Sequence, residues 1–405
     1  MKATNILYLS YDGLTDQLGQ SQILPYIIGL SKKGYKFTVI SFEKEKGLYS
    51  RELIQEIVDS HNINWKPLTY TKSPPVLSTA YDFIRLKTLA YRLIRSNDIK
   101  LVHCRSYITS LVGLSAKREL KTKFLFDMRG LWADERVDGG LWNLKNPVFN
   151  SIFNYFKRKE LEFLKEADCT ISLTQAGKTE INSWFKESET PRIEIIPCAV
   201  DTEIFSPTNI SADDIKTIKE ELNIEGKRVL IYLGSLGTWY MLNEMLGYFK
   251  ELNINNEWVF LFLTRESDVL KQTLKEIGIS ELDVRIRAAQ RNQVPNYLTV
   301  CNAGIFFIKP AYSKISSSPT KQAELMSMGI PVVVNDKVGD TSIIVKEYNS
   351  GIVLNSFNSK AYKKAANEFE TCEFDSSKIR NGAIDFFGLE KAVENYFSVY
   401  KEILN

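Results

Sequence analysis

At 405 residues the chain exceeds one ordinary core and predicts two domains of about 150–200 residues each. Apolar content of 44% with 25% charge fits a soluble globular protein, no long apolar run offers a membrane span, and five scattered cysteines without a CxxC pair argue against a disulfide or zinc framework and for reduced thiols in the cytoplasm. Net charge is +3, but residues 1–200 hold 29 basic and 22 acidic side chains (+7) and residues 201–405 hold 23 and 27 (−4), with no dense basic stripe of a nucleic-acid binder.

Strand-like apolar runs alternate with helical patterns along the chain. MKATNILYLSYDG opens on a strand, Asn5–Ser10, rather than a signal peptide, because its apolar run is short and an Asp-Gly turn interrupts it. A helix over Ser21–Lys33 follows, with Gly34 as its terminating glycine, and then a strand over Lys36–Phe42. Leu101–Cys104, Lys123–Asp127, Ala167–Leu173 and Ile193–Ile196 read as short buried strands. The segment Pro197–Asp213, rich in Pro, Ser, Thr and Asp and without periodicity, reads as a linker. The rhythm then restarts with strands at Arg228–Leu233, Trp258–Leu263, Val284–Arg287, Gly304–Ile308 and Pro331–Asn335. Leu389–Leu404 has helical spacing and is expected to pack back on the first domain. Alternation of this kind implies parallel sheets with helices on both faces. The expected architecture is α/β, with two Rossmann-like domains and a cleft between them: 1–203 with a returning helix 386–405, and 204–385.

The stretch Ser316–Val334, SSSPTKQAELMSMGIPVVV, carries the sharpest signal. Ser318 suits an N-cap and Pro319 the first helical position, so a helix is expected from about Ser318 to Gly329. Its start would offer free N–H groups and a positive dipole end to a phosphate. Lys321, in the first turn, would add a full charge, and Glu324 could accept two hydrogen bonds from a ribose diol. The competing reading is a capped core helix in which Glu324 pairs with Lys321 or faces solvent.

This stretch resembles the nucleotide-sugar motif of retaining GT-B glycosyltransferases, in particular the GT4 family. DGLTDQLGQSQILPY (Asp12–Tyr26) is similar to that family's N-terminal glycine loop, IIPCAVDTEIFSP (Ile195–Pro207) to its interdomain segment, and VLIYLGSLGTWY (Val229–Tyr240) to its first donor-domain strand and loop. The resemblance implies that Glu324 binds the donor ribose. It implies a donor site from Gly19, Gly234, Ser235, Gly237, Thr238, Ser316, Ser318, Thr320, Lys321 and the neighbourhood of Ala289 and Arg291, where the base is usually read from the backbone. Two departures stand out. Ser316 occupies the place of a frequent first glutamate. The loop GSLGTWY lacks the usual Arg and Lys, which leaves Lys321 and Arg265 as candidate cations for the diphosphate.

In the first domain, FLFDMRGLWADERVDGGLW (Phe124–Trp142) sets charges after an apolar strand. Asp127 or Arg129 is expected to touch the sugars, and together with Glu324 these are the candidate catalytic residues. Trp132, Asp134 and Glu135, with His103 and Arg105 from LVHCRSY, are candidates for binding an acceptor. The alternative is a solvated charged loop and a structural histidine. With no Asp-x-Asp and only two histidines, no metal and no cofactor are expected; the nucleotide sugar is a co-substrate. Val76–Asn97 and Pro147–Glu160 read either as core helices with solvated basic faces or as peripheral contacts with anionic lipid at the inner face of the cytoplasmic membrane. The implied activity is transfer of a sugar, most often from a UDP-sugar, to a glycan or lipid-linked glycan hydroxyl. A nicotinamide enzyme lacks its Gly-x-Gly-x-x-Gly turn here. A catalytically inactive scaffold of the same fold is the reading that the missing cations keep open.

Overall fold

A computed structural model describes residues 4–45, 47 and 49–405. The chain divides into two compact units, one of 1–197, 315–317 and 389–405, the other of 198–314 and 318–388.

The first unit holds seven strands: β1 (Thr4–Ser10), β2 (Tyr35–Glu43), β3 (Asn64–Thr69), β4 (Ile99–Arg105), β5 (Lys123–Asp127), β6 (Cys169–Ser172) and β7 (Ile193–Ile195). They pair in parallel in the order β3-β2-β1-β4-β5-β6-β7. Leu7 sits between Thr38 of β2 and Val102 of β4. Central strands read as unbroken apolar runs because helices cover both faces of a parallel sheet. The order reverses between β1 and β4, and loops at the carboxyl ends of those two strands flank the crevice where such sheets bind ligands.

The expected helix Ser21–Lys33 is two helices, Gln17–Gln22 and Leu24–Lys32, broken at Ile23. Pro25 cannot donate to the Ser21 carbonyl and its ring crowds it, so the chain restarts there. Gly34 does follow the second helix with φ +99°, the left-handed stop expected of it. Helix Leu389–Leu404 belongs to the first unit, burying Val393, Tyr396, Val399, Tyr400 and Ile403.

The second unit holds β8 (Arg228–Leu233), β9 (Trp258–Leu263), β10 (Val284–Arg287), β11 (Ala303–Phe306), β12 (Val332–Asn335) and β13 (Gly351–Leu354), parallel in the order β10-β9-β8-β11-β12-β13. Its reversal lies between β8 and β11. The expected linker Pro197–Asp213 is packed instead: Val200 and Phe205 are buried in the second core, Val200 bridges Gly388, and Arg380 donates to the carbonyls of Thr202 and Phe205. Its apolar residues are few but large, and that suffices to anchor it.

Candidate functional site

In the first unit the end of β5 meets the end of β4. Asp127 is buried to 1% exposure between three cationic or polar neighbours. His103 Nε2 stands 3.4 Å from Asp127 Oδ2, Arg105 Nη1 3.8 Å from the same oxygen, and Arg129 Nη1 3.8 Å from Oδ1. The second ring nitrogen of His103, Nδ1, stands 2.6 Å from Tyr400 Oη; because the ionised Asp127 carboxylate can only accept, the proton of a neutral ring is assigned to Nε2, and the Tyr400 hydroxyl then donates to Nδ1. Burial pushes His103 down from the usual imidazole range, and Asp127 recovers only part of that fall. Burial alone would raise Asp127, but Arg129, His103 and Arg105 more than offset it and hold the carboxyl low.

Arg129 lies at φ +57° before Gly130 at φ +118°, so the chain leaves β5 through two left-handed residues. A bulky residue held in that region costs about 1–3 kcal/mol and is retained where surrounding structure dictates it. Arg129 Nη2 donates to Gln22 Oε1 at 3.3 Å, and Arg105 Nη1 donates to the Gln22 carbonyl at 3.4 Å. Asp127 Oδ1 and Arg105 Nε are buried and have no hydrogen-bond partner among the described residues, although Asp12 stands 3.5 Å from that Nε.

The structure thus brings His103, Arg105, Asp127 and Arg129 together. It seats the other acceptor candidates apart, on helix Trp132–Asp138. Trp132 stacks on Tyr107 with ring centroids 5.6 Å apart and meets Trp142 and Phe156 edge-on. Asp134 accepts from Lys157 at 2.8 Å, and Lys157 also reaches the buried Glu160, which takes the Tyr107 hydroxyl. Trp132 and Asp134 therefore already have structural partners, and Glu135 is half-buried.

Gly19 is buried, and a Cβ there would strike the backbone of Gly13 and Leu14. The structure therefore gives this glycine a packing role in addition to the expected diphosphate contact. Glu43, absent from the sequence candidates, fixes the same loop. Its carboxylate accepts from the N–H groups of Leu14 and Thr15 at 2.9 Å and from the hydroxyls of Thr15 and Ser41 at 2.6 Å. The available signal was a lone acidic residue closing the apolar strand FTVISFE. Ser316, expected at the donor, clusters with the first unit. It is buried beside Gly177, and its neighbour Ile315 accepts from Thr174 Oγ1 at 2.8 Å.

In the second unit the loop after β8 and the segment after β11 lie at the sheet's reversal and bond to each other. Met241 N–H donates to Phe307 and Lys309 N–H to Trp239. Gly234 (φ +118°), Ser235, Gly237 and Thr238 (φ +47°) form an exposed arch. Leu236 N–H donates to Glu266 Oε2 at 2.6 Å from the turn after β9, whereas the candidate cation beside it, Arg265, is exposed.

Helix Thr320–Ser327 starts two residues later than expected. Its N-cap is Pro319, and no side chain caps it. Ser318 is used elsewhere, since its Oγ accepts from Cys198 N–H at 3.2 Å. Thr320 is half-buried at the first helical position. Glu324 pairs neither with Lys321 nor with solvent alone: Arg291 Nη1 donates to its Oε1 at 2.7 Å, and the Arg291 guanidinium lies over the Phe205 ring. Arg291 therefore reaches Glu324 through its side chain, and Ala289 lies half-buried two residues before it.

Lys321 does not stand free in solvent. It is buried to 6% exposure against Tyr240 and Tyr232, and burial pushes its ammonium well down from the ordinary value despite Glu324. A second lysine that sequence reasoning passed over, Lys314, is also buried, 3.6 Å from the Trp239 ring centroid. The signal for both was the aromatic pair Trp239-Tyr240 in a loop where cations were expected.

Residues 26–204 match Glycosyltransferase Family 4, and residues 214–385 match Glycosyl transferases group 1. The chain belongs to the family 4-type glycosyltransferases. The glycosyltransferase is 21% identical over 277 residues to spore coat protein SA of Bacillus subtilis (strain 168), covering 63% of this chain and 71% of that one. Among solved structures it is similar to a glycosyltransferase from Rickettsia africae ESF-5 (TM-score 0.73, 15% identity, 100% of both chains). It is also similar to sucrose-phosphate synthase from Thermosynechococcus elongatus (0.75, 13%, 99% of both). A third is Anabaena HepE in complex with UDP and glucose (0.70, 14%, 98% of this chain and 99% of that). At such identities the likeness is one of fold, and the fold is GT-B.

Proposed function

We propose that this glycosyltransferase moves a hexosyl group from a UDP-sugar to a hydroxyl of a glycan or lipid-linked glycan, with retention of configuration and without a metal. The observation that supports it most is the second unit's switch point. There Glu324, steadied by Arg291, the glycine arch after β8 and Lys321 converge within one sheet's ligand crevice. Glu324 would accept the ribose diol. Exposed amides of the arch and Lys321 would meet the diphosphate. In the transfer the bond from C1 to the diphosphate oxygen breaks, a bond from C1 to the acceptor oxygen forms on the same face, and the hydroxyl proton leaves with the diphosphate. Negative charge on the departing diphosphate is what fixed cations and amides must stabilise.

In this reading the second unit binds the donor and the first binds the acceptor, with Arg129 and Asp127 addressing the sugars. HepE, solved with UDP and glucose, lends weight to the choice of UDP. A cytoplasmic enzyme that visits anionic membrane through helix Leu77–Ser96 completes the proposal.

The test is calorimetric titration of UDP, GDP and NAD into wild type and Glu324→Ala. The expected result is binding of UDP, weakened tenfold or more in the variant, or about 1.4 kcal/mol. Absence of any nucleoside diphosphate binding, or binding indifferent to Glu324, overturns the site and favours the inactive scaffold. Release of UDP from a UDP-sugar in the presence of acceptor separates enzyme from scaffold directly.

A further inference from the structure

Lys321 raises a question that the donor site leaves unanswered. Its Nζ lies 3.4 Å from the Tyr240 ring centroid and 4.5 Å from that of Tyr232, and it donates to the Tyr232 hydroxyl at 3.3 Å. An ammonium carries three N–H donors. Among the described residues this hydroxyl is the one acceptor within reach, and no carboxylate lies at ion-pair distance from Lys321. The acids and bases facing it are all committed. Glu324, on its own helix, holds Arg291, and Glu266, from the turn after β9, holds the Leu236 amide. Burial keeps the Tyr232 hydroxyl of β8 protonated, so it brings no negative charge. Tyr240, from the arch, presents its ring face. Aromatic faces return less than burial of an ammonium removes.

The position is also open to a ligand. Lys321 Nζ lies 3.4 Å from where a Cβ on Gly234 would stand, directly under an exposed arch. The amides of Ser235, Gly237 and Thr238 have no acceptor among the described residues. An anion placed on this arch would supply the acceptors that Lys321 lacks.

We propose that Lys321 rests as a neutral amine and takes a proton from solvent when a nucleoside diphosphate occupies the Gly234–Tyr240 arch, so that donor binding consumes one proton. The inference rests on the donor-site reading above and adds its proton inventory. No covalent bond changes: amine and solvent proton become ammonium, and the diphosphate becomes its counter-ion. Affinity then falls as pH rises above the value at which free Lys321 loses its proton, by about tenfold per pH unit, until the bound form also titrates.

The experiment is calorimetry on the full chain at pH 8 and above, in buffers of low and high ionisation enthalpy at one ionic strength. The probes are UDP, GDP, ADP, CDP and TDP in turn, then the sugar ester of whichever binds. The terminal phosphate has finished its second ionisation, near pH 6, well below the pH used. The sugar ester has no such group, so the protein must account for any uptake. The expected result is uptake approaching one proton in wild type and none in Lys321→Met, with binding weakened at least tenfold. In Lys321→Arg, binding without uptake is expected, because a guanidinium does not deprotonate. Binding in wild type without uptake, or uptake unchanged in Lys321→Met, overturns the inference and leaves the donor site standing. Failure of every nucleotide to bind wild type overturns the donor site and this inference together.

Discussion

Asp127 and His103 show how far a residue's role is set by what surrounds it. Asp127 ends β5 and His103 lies two residues before the end of β4, near where a ligand-binding residue of such a sheet would sit, yet both are buried, tied to each other, and His103 is held on its far side by Tyr400. A histidine held neutral in the fold is a liability in acid. Its folded pKa is lowered, so the unfolded chain binds a proton that the folded one refuses. Stability then falls as pH drops below about 6.5, by up to ~1.4 kcal/mol per pH unit, until the lowered folded value is reached. Asp127 acts in a lower window. Its folded pKa is depressed, so its contribution is complete above about pH 3.9 and is lost as pH falls further. His103→Gln is therefore expected to cost stability at pH 7.5, through the loss of the Tyr400 and Asp127 partners. It should also flatten the slope of urea-unfolding free energy between pH 6.5 and 5 while keeping the steep loss below pH 4. A slope unchanged in the variant would show that other groups set acid stability. His61 is the only other histidine in the chain, which keeps the reading clean.

At the scale of elements, the arch after β8 separates two glycines that look alike in GSLG. Gly234 sits at φ +118° with Lys321 against its missing Cβ, whereas Gly237 has open space around it and no left-handed requirement. Gly234→Ala is expected to cost about 1–3 kcal/mol in denaturant unfolding and to weaken nucleotide binding with it. Gly237→Ala should stay within about 0.5 kcal/mol of wild type. Equal effects from the two would mean the arch conformation differs from the one described. The same contrast explains what was legible in the sequence. Lys123–Asp127, Arg228–Leu233 and Trp258–Leu263 were legible as strands from their apolar runs, because inner parallel strands are covered by helices on both faces. Two edge strands escaped notice. β3, NWKPLT, buries only Trp65 outright, and β13 has just four residues, the first of them a glycine at φ +153°. Of the site, Glu324 was visible as one acid in an apolar helix. Its partner Arg291, thirty-three positions away, was not, since pairing across elements leaves no local pattern. The aromatic seat of Lys321 was hidden for the same reason.

At the scale of the whole molecule, the uneven charge between halves acquires a surface. Helix Leu77–Ser96 buries Leu86, Ala90, Leu93 and Ile94 and leaves Leu77, Tyr81 and Ile84 more than half exposed on its outer face. Arg92 and Arg95 continue that face and have no ion pair among the described residues. A groove of about 680 Å³ runs beside them, lined by Phe83, Ile84, Lys87, Tyr91, Arg92 and Arg95. No helix among the described residues is long and apolar enough to cross a membrane, so any lipid contact through this helix is peripheral. Apolar side chains at one end and arginines at the other suit an anionic bilayer. Each basic residue near such a surface adds about 1 kcal/mol, and the attraction fades as salt shortens its range to roughly 8 Å at 0.15 M. The full chain is expected to sediment with vesicles containing phosphatidylglycerol at low salt, to release them as salt rises, and to ignore neutral phosphatidylcholine vesicles. Arg92→Glu with Arg95→Glu should abolish the sedimentation. Lys363→Glu with Lys364→Glu, an equal charge change on exposed positions of helix Ser359–Thr371 in the second unit, should leave it intact. If both pairs weaken binding alike, net charge rather than this face drives association. If wild type ignores anionic vesicles, the basic face is simply solvated, and an acceptor for this enzyme need not be carried on lipid.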